Sequence, residues 1–290
     1  MNSRQSPFLI PLIIAAAVTV ILGITLAVLE FSDGGADTTE PPETLETEPP
    51  AEVSIPAVVF KSNLEEYEKY MDVKDEKYLV LVNKVNTVDA SFAPEETVKV
   101  KDSHKDIYLE KTAAMALEAM FVEMRKNGFS DVFVTSAYRD YEYQERTYNG
   151  WVAYETQTIS SDARKVLGDS YIYQKYTSVG KTGLDKTDAE RVASSYSAKA
   201  GTSEHQTGLC VDLMTSSMTA LDGSFANQAV YPWLLENAWK FGFVLRFPAD
   251  KVEETGYSFE PWHYRFVGRY HAYKIYSEGL CLEEYLEGLK

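Results

Sequence analysis

The feature that most limits what this chain can fold into is an uncharged, mostly apolar run from Phe8 to Leu29, about 22 residues long. That length is enough to cross the hydrocarbon core of a bilayer. Arg4 and the free amine precede the run, and Glu30 and Asp33 follow it. This asymmetry puts residues 1–7 in the cytoplasm and everything after residue 29 outside. A cleaved signal peptide is the alternative, but its apolar region is usually shorter and ends in small residues. Ala27-Val28-Leu29 is a poor small-x-small site. The expectation is therefore a retained anchor over 8–29 and a single-pass cell-membrane protein with its body outside.

Residues 30–57 are rich in Asp, Thr, Glu and Pro and poor in apolar side chains. Such a segment cannot offset its ordering entropy by burial, so a disordered stalk is expected. The remaining residues, 58–290, contain no internal repeats and read as one domain. An apolar fraction of 45% suffices for its core. The net charge of −16 argues against nucleic acid as a partner, since phosphate-backbone binders carry basic patches. An anionic substrate remains compatible, because one arginine can dominate a local field. With only Cys210 and Cys281, the chain offers neither a disulfide framework nor a cysteine-rich zinc module.

Within the domain, Tyr78 to Val82 reads as a buried strand ended by Asn83. Leu109 to Asn127 reads as a helix with Ala113, Leu117, Phe121 and Met124 on one face, stopped by Asn127-Gly128. Val132 to Thr135 is a short strand that delivers Ser136 to Arg139 into a loop, after which Asp140 caps a helix through about Tyr148. Residues 150–198 are polar, tyrosine-rich and weakly patterned, as an elaborated insertion would be. Pro232 to Phe241 reads as a helix with proline in its first turn and Gly242 at its end. Phe243 to Phe247 and Trp262 to Val267 read as strands, and two short helices close the chain around Gly279. Helices mixed with short strands and no βαβ rhythm indicate an α+β domain, a small mainly antiparallel sheet flanked by helices.

Only four histidines occur, and two have informative neighbours. His205 lies in Ser203-Glu204-His205-Gln206-Thr207-Gly208-Leu209-Cys210-Val211-Asp212, and His263 in Glu260-Pro261-Trp262-His263-Tyr264-Arg265. Two neutral imidazoles and a carboxylate suit a catalytic zinc with a fourth position open to water. Such a metal acidifies that water and polarises a carbonyl, and a further carboxylate must then move protons. Glu260 is the natural candidate. Pro261 makes Glu260 to His263 a poor helix interior, so this is not the helical His-Glu-x-x-His arrangement. On a strand, His263 and Arg265 share a face and Trp262 and Tyr264 share the other. The spacing from His205 to Asp212 requires a turn, with Gly208 allowing the chain to fold back. His104 and His271 read as structural or exposed. The tyrosines from Tyr171 to Tyr176 read equally as a peptide groove or as packing within the insertion.

These motifs carry a resemblance. Leu81-Val82-Asn83-Lys84, Ser136-Ala137-Tyr138-Arg139, Ser203 through Asp212, Trp233 through Phe247 and Glu260 through Gly268 resemble, in order, the VanY-type D-alanyl-D-alanine carboxypeptidases. That zinc peptidase family also includes VanX-like dipeptidases and L,D-carboxypeptidases. The resemblance implies His205, Asp212 and His263 as ligands of one zinc ion and Glu260 as the catalytic base. It implies Arg139 as the arginine that engages substrate near the scissile bond, and Gln144 and Ser203 as substrate contacts. The implied activity is removal of the C-terminal D-alanine from peptidoglycan stem peptides, in wall remodelling or glycopeptide resistance. An L,D-carboxypeptidase acting on tetrapeptide stems is the nearest alternative. A non-catalytic wall-binding module is a more distant one, because a binding module has no use for Glu260. The chain departs from the family pattern at Ala200, where proline is frequent, at Cys210, where alanine is usual, and in the long stretch between Arg139 and Ser203. Cys210 has a functional reading as a thiolate ligand or reactive thiol, against the ordinary one of a small buried side chain.

Overall fold

In the computed structural model, residues 54–158 and 186–290 are described. The expected anchor, nearly all of the stalk and the centre of the 150–198 stretch lie outside them. Among the described residues no helix is long and apolar enough to cross a membrane.

The core forms around helix α1, Lys111–Lys126. The Glu110 carboxylate caps it by accepting a hydrogen bond from the Ala113 amide at 2.9 Å. Ala113, Leu117, Phe121 and Met124 are all buried, as their helical spacing requires. The helix begins two residues later than the apolar pattern suggested. Leu109 belongs instead to a two-stranded antiparallel ribbon, β1 (Thr97–Lys99) against β2 (Tyr108–Glu110), where it pairs with Val98.

Helix α1 packs on a four-stranded sheet built from β3 (Val132–Ser136), β4 (Cys210–Thr215), β5 (Phe243–Leu245) and β6 (His263–Phe266). The order across the sheet is β3-β4-β6-β5, and every pairing is antiparallel. The period of two along a strand divides the labour. Val211 and Leu213 of β4, with Tyr264 and Phe266 of β6, join the core. The intervening residues share the opposite face, where Cys210 pairs with Arg265 and Asp212 with His263. Strand β4 is buried along its whole length, so the charge of a carboxylate at Asp212 must be compensated chiefly by partner groups.

The remaining elements brace this frame. Helices α2 (Tyr141–Thr158) and α3 (Lys186–Tyr196) meet through Tyr148, Val152 and Ala193. Helix α2 starts at Asp140 as expected, with its Oδ1 accepting from the Tyr143 amide at 2.7 Å, but runs ten residues past Tyr148. Helix α4 (Val230–Asn237) tightens into a 3-10 turn over Ala238–Phe241 and stops at Gly242. Gly242 has φ +85°, and a Cβ there would meet the Phe266 ring at 2.7 Å. Helices α5 (Arg269–Glu278) and α6 (Leu282–Glu287) close the chain on a second apolar cluster, which Ile55 and Val58 also touch.

One expected strand is absent. Tyr78 to Val82 is apolar and largely buried, but Glu76–Leu79 is a 3-10 turn and the residues after it join no ladder. The Arg265 guanidinium takes the strand partner's place, Nη2 donating to Tyr78 O at 2.9 Å and Val80 O at 2.7 Å. Apolar composition reported burial here, and a buried cation decided the backbone conformation.

Candidate metal centre

The site lies on the sheet face away from α1. Residues Glu204–Thr207 form a 3-10 turn that ends at Gly208, whose φ of +66° folds the chain back into β4. A Cβ at Gly208 would lie 2.6 Å from the Pro94 side chain, so the position also lacks room for one. The turn places His205 beside Asp212, and pairing of β4 with β6 brings Asp212 opposite His263. A bulge in β3 between Val134 and Ser136 re-aims the following residues toward the site. There the Arg139 amide donates to His205 O at 3.1 Å. Glu260 precedes β6 through Pro261 and Trp262, with its amide donating to Phe247 O at 3.0 Å.

The distances describe a convergence. His205 Nε2 is 3.2 Å from Asp212 Oδ2, and His263 Nδ1 is 3.2 Å from Asp212 Oδ1. Glu260 Oε2 is 3.5 Å from His263 Nδ1. His205 Nδ1 lies 2.5 Å from Ala137 O, which can only accept, so Nδ1 carries a proton and Nε2 is the nitrogen turned to the site. Asp212 Oδ1 is buried and, despite its short contact, makes no hydrogen bond. Ligands about 2.0–2.1 Å from a tetrahedral zinc would stand roughly 3.3 Å from one another. The 3.2 Å contacts fit that spacing. The thiol of Cys210 is also near, since one donor atom each of His205, Cys210 and His263 lie within 4.8 Å of one another. Both cysteines are free and buried.

The electrostatics favour a cation here. Burial and Arg139 oppose charge on His205, but Cys210 and the Asp212 carboxylate raise it to about 9. Burial would raise Asp212, yet the two imidazoles hold it well below the usual carboxylate range. For Glu260 burial wins, and although His263 opposes the shift the carboxyl is pushed up to about 7. These residues border a cleft of about 490 Å³. Arg139, Ser203 and Trp262 line it, and so do Trp151 and Tyr196, whose rings meet edge-on at 5.4 Å. The Arg139 Nε is buried without a hydrogen bond.

Gln144 differs from its expected place. It is buried and does not line the cleft, and its side-chain amide donates to Ala198 O at 2.6 Å, bracing the segment that leads to Ser203. His271 is structural, Nδ1 lying 2.7 Å from the Tyr285 hydroxyl, and His104 is exposed against Phe133. The tyrosines from Tyr171 to Tyr176 lie outside the described residues.

Glu204 was not singled out by sequence reasoning. Its side chain is wholly enclosed, with Oε1 accepting from Arg246 Nε at 2.6 Å and Arg265 Nη1 at 2.7 Å. Burial alone would raise its pKa, but the two guanidiniums hold it well below the ordinary range. The available signal was Arg265, which shares the His263 face and, once buried, requires a counter-ion.

Two imidazoles and a carboxylate on a rigid sheet, with a second carboxylate alongside, fit a tetrahedral zinc ion with its fourth position open. The family model for "VanY: D-alanyl-D-alanine carboxypeptidase" matches residues 106–269, and the chain belongs to that family. It is 36% identical over 208 residues to a D-alanyl-D-alanine carboxypeptidase of Enterococcus faecalis, covering 72% of this chain and 65% of that relative. Thus it spans slightly less than two thirds of that relative's length. A solved vancomycin-resistance D,D-pentapeptidase VanY from a VanB-type resistance cassette, in complex with Zn(II), is 34% identical with a TM-score of 0.55, over 73% of this chain and 99% of that one. The structure of the LdcB LD-carboxypeptidase is 31% identical with a TM-score of 0.56, over 72% of this chain and 86% of that one.

Proposed function

We propose that this chain is a zinc-dependent carboxypeptidase that removes the C-terminal D-alanine from peptidoglycan stem peptides, in wall remodelling or glycopeptide resistance. The carrying observation is the convergence of His205, Asp212 and His263 beside Glu260 in a cleft that Arg139 also faces. His205 Nε2, His263 Nδ1 and Asp212 would hold the metal, because Asp212 contacts both imidazoles at 3.2 Å. When bound, zinc supplies a Lewis acid that polarises the scissile carbonyl and acidifies water. Glu260, 3.5 Å from His263 Nδ1 on the cleft wall, accepts the proton of the attacking water and returns it to the leaving amine. Arg139, with Nε free of other hydrogen bonds, pairs with the substrate's terminal carboxylate. Ser203 adds a polar contact on the cleft wall.

The membrane is the second partner in this reading. The apolar length of 8–29 and its flanking charges support an anchor with the catalytic domain on the outer side. Residues 30–57 would be the tether.

Likeness to LdcB keeps an L,D-carboxypeptidase as the second reading. Incubating the chain with zinc and defined penta- and tetrapeptide stems, then identifying the released residue, separates the two. Release of D-alanine from the pentapeptide is expected. Release only from the tetrapeptide would establish the L,D activity, and no release from either would leave a binding module.

A further inference from the structure

Each imidazole at the centre has a second nitrogen, and the partner of that nitrogen decides which one faces the metal. For His205 the partner is Ala137 O. His263 Nε2 is buried without a hydrogen bond, and so is Glu204 Oε2. These two complementary atoms lie 3.4 Å apart. Buried polar atoms are rarely left unsatisfied, and an anionic oxygen facing a ring nitrogen selects the tautomer with hydrogen on that nitrogen.

Glu204 is itself fixed from behind. Its other oxygen is held by Arg246 and Arg265 at 2.6 and 2.7 Å. Arg246 follows β5 and forks onto Glu283 of α6, Nη1 donating to Oε2 at 2.7 Å and Nη2 to Oε1 at 2.6 Å. Arg265 stands two residues after His263 on the same strand face. The chain Glu283–Arg246–Glu204–Arg265 alternates in sign, so Glu204 Oε1 is fully engaged and Oε2 is left for His263. Ordinary surface acids have no such support.

We propose that Glu204 is a positioning residue: it accepts the Nε2–H of His263, fixes the tautomer that leaves Nδ1 for the metal, and ties that ligand through Arg246 to the C-terminal helix. This inference rests on the zinc reading and adds a residue to it. The competing arrangement turns Nε2 to the metal, and requires the proton on Nδ1.

The full chain carries only four histidines, so selective 15N-histidine labelling resolves each ring, with His104 and His271 assigned by substitution. In two-bond proton–nitrogen spectra of the zinc-loaded chain, His205 should be protonated at Nδ1 and His263 at Nε2. Glu204→Gln keeps the shape and removes the charge. Its zinc Kd, measured by chelator competition, should rise about 10- to 100-fold. Glu204→Asp should recover part of that loss. A parent chain that binds zinc with His263 protonated at Nδ1 overturns the inference alone, as does a folded Glu204→Gln that binds zinc as tightly as the parent. A parent that binds no zinc overturns the metal reading, and this inference with it. If Glu204→Gln does not fold, the tautomer of the parent decides.

Discussion

At the residue scale, the two carboxylates nearest the imidazoles have opposite environments and should respond oppositely to substitution. Asp212 touches both rings, whereas Glu260 touches only His263 and is held mainly by burial. Glu260→Gln should therefore keep zinc bound while turnover falls by roughly two orders of magnitude or more. Metal analysis alongside a rate measurement checks this, and loss of zinc would place Glu260 among the ligands. Arg139 should determine the requirement for a free C-terminus. Its planar guanidinium can form two parallel bonds to a carboxylate, and the ammonium of lysine cannot reproduce them. Amidating the stem peptide should abolish cleavage. Arg139→Lys should lower kcat/KM by roughly 10- to 100-fold, the loss of one charge-assisted hydrogen bond of about 1.5–3 kcal/mol, with zinc content unchanged. Rapid cleavage of the amidated peptide would indicate an endopeptidase and give Arg139 a different task.

At the element scale, helix α1 joins the sheet to the segment that enters the domain. The Glu123 carboxylate near its C-terminal end accepts from the Lys61 and Ser62 amides at 2.8 and 2.9 Å. Burial tends to raise the pKa of Glu123, but these bonds more than offset it and leave the carboxyl below its ordinary value. A depressed folded-state pKa contributes stability that is present above the unfolded value, about 4.3, and is lost as pH falls through the lower folded value. Glu123→Ala should therefore cost about 1–3 kcal/mol at neutral pH in denaturant unfolding, and much less once the acid end of that window is passed. An equal cost at both pH values would mean that packing, and not the ionised carboxylate, supplies the stability.

At the scale of the whole molecule, the apolar length of 8–29 and its flanking charges bear on where the domain is held. If 8–29 is retained as an anchor, the protein should fractionate with membranes and its domain should be degraded by protease added outside intact cells whose wall has been removed. A mature chain that starts after residue 29 would replace anchoring by secretion.

Much of the site was legible because its signals are local. A His, a turn-forming Gly and an Asp within eight residues, and Glu-Pro-Trp-His at a strand entrance, limit the backbone geometry before any tertiary contact exists. Helix α1 was legible from the recurrence of Ala113, Leu117, Phe121 and Met124, and the strand pair β5 and β6 from short apolar runs bounded by turn residues. Three features depended on partners outside their own segments. Leu109 entered a ribbon with Val98 instead of the helix, and Tyr78 and Val80 gave their carbonyls to Arg265 instead of a neighbouring strand. Glu204 looked like one more acid in a chain with 44 of them, until Arg246 and Arg265 closed on it. Periodicity and turn chemistry are properties of adjacent residues, so the sequence by itself determines which segments are buried and where they bend. Which buried polar group meets which is set only when distant segments pack, because each such group must find its partner in three dimensions.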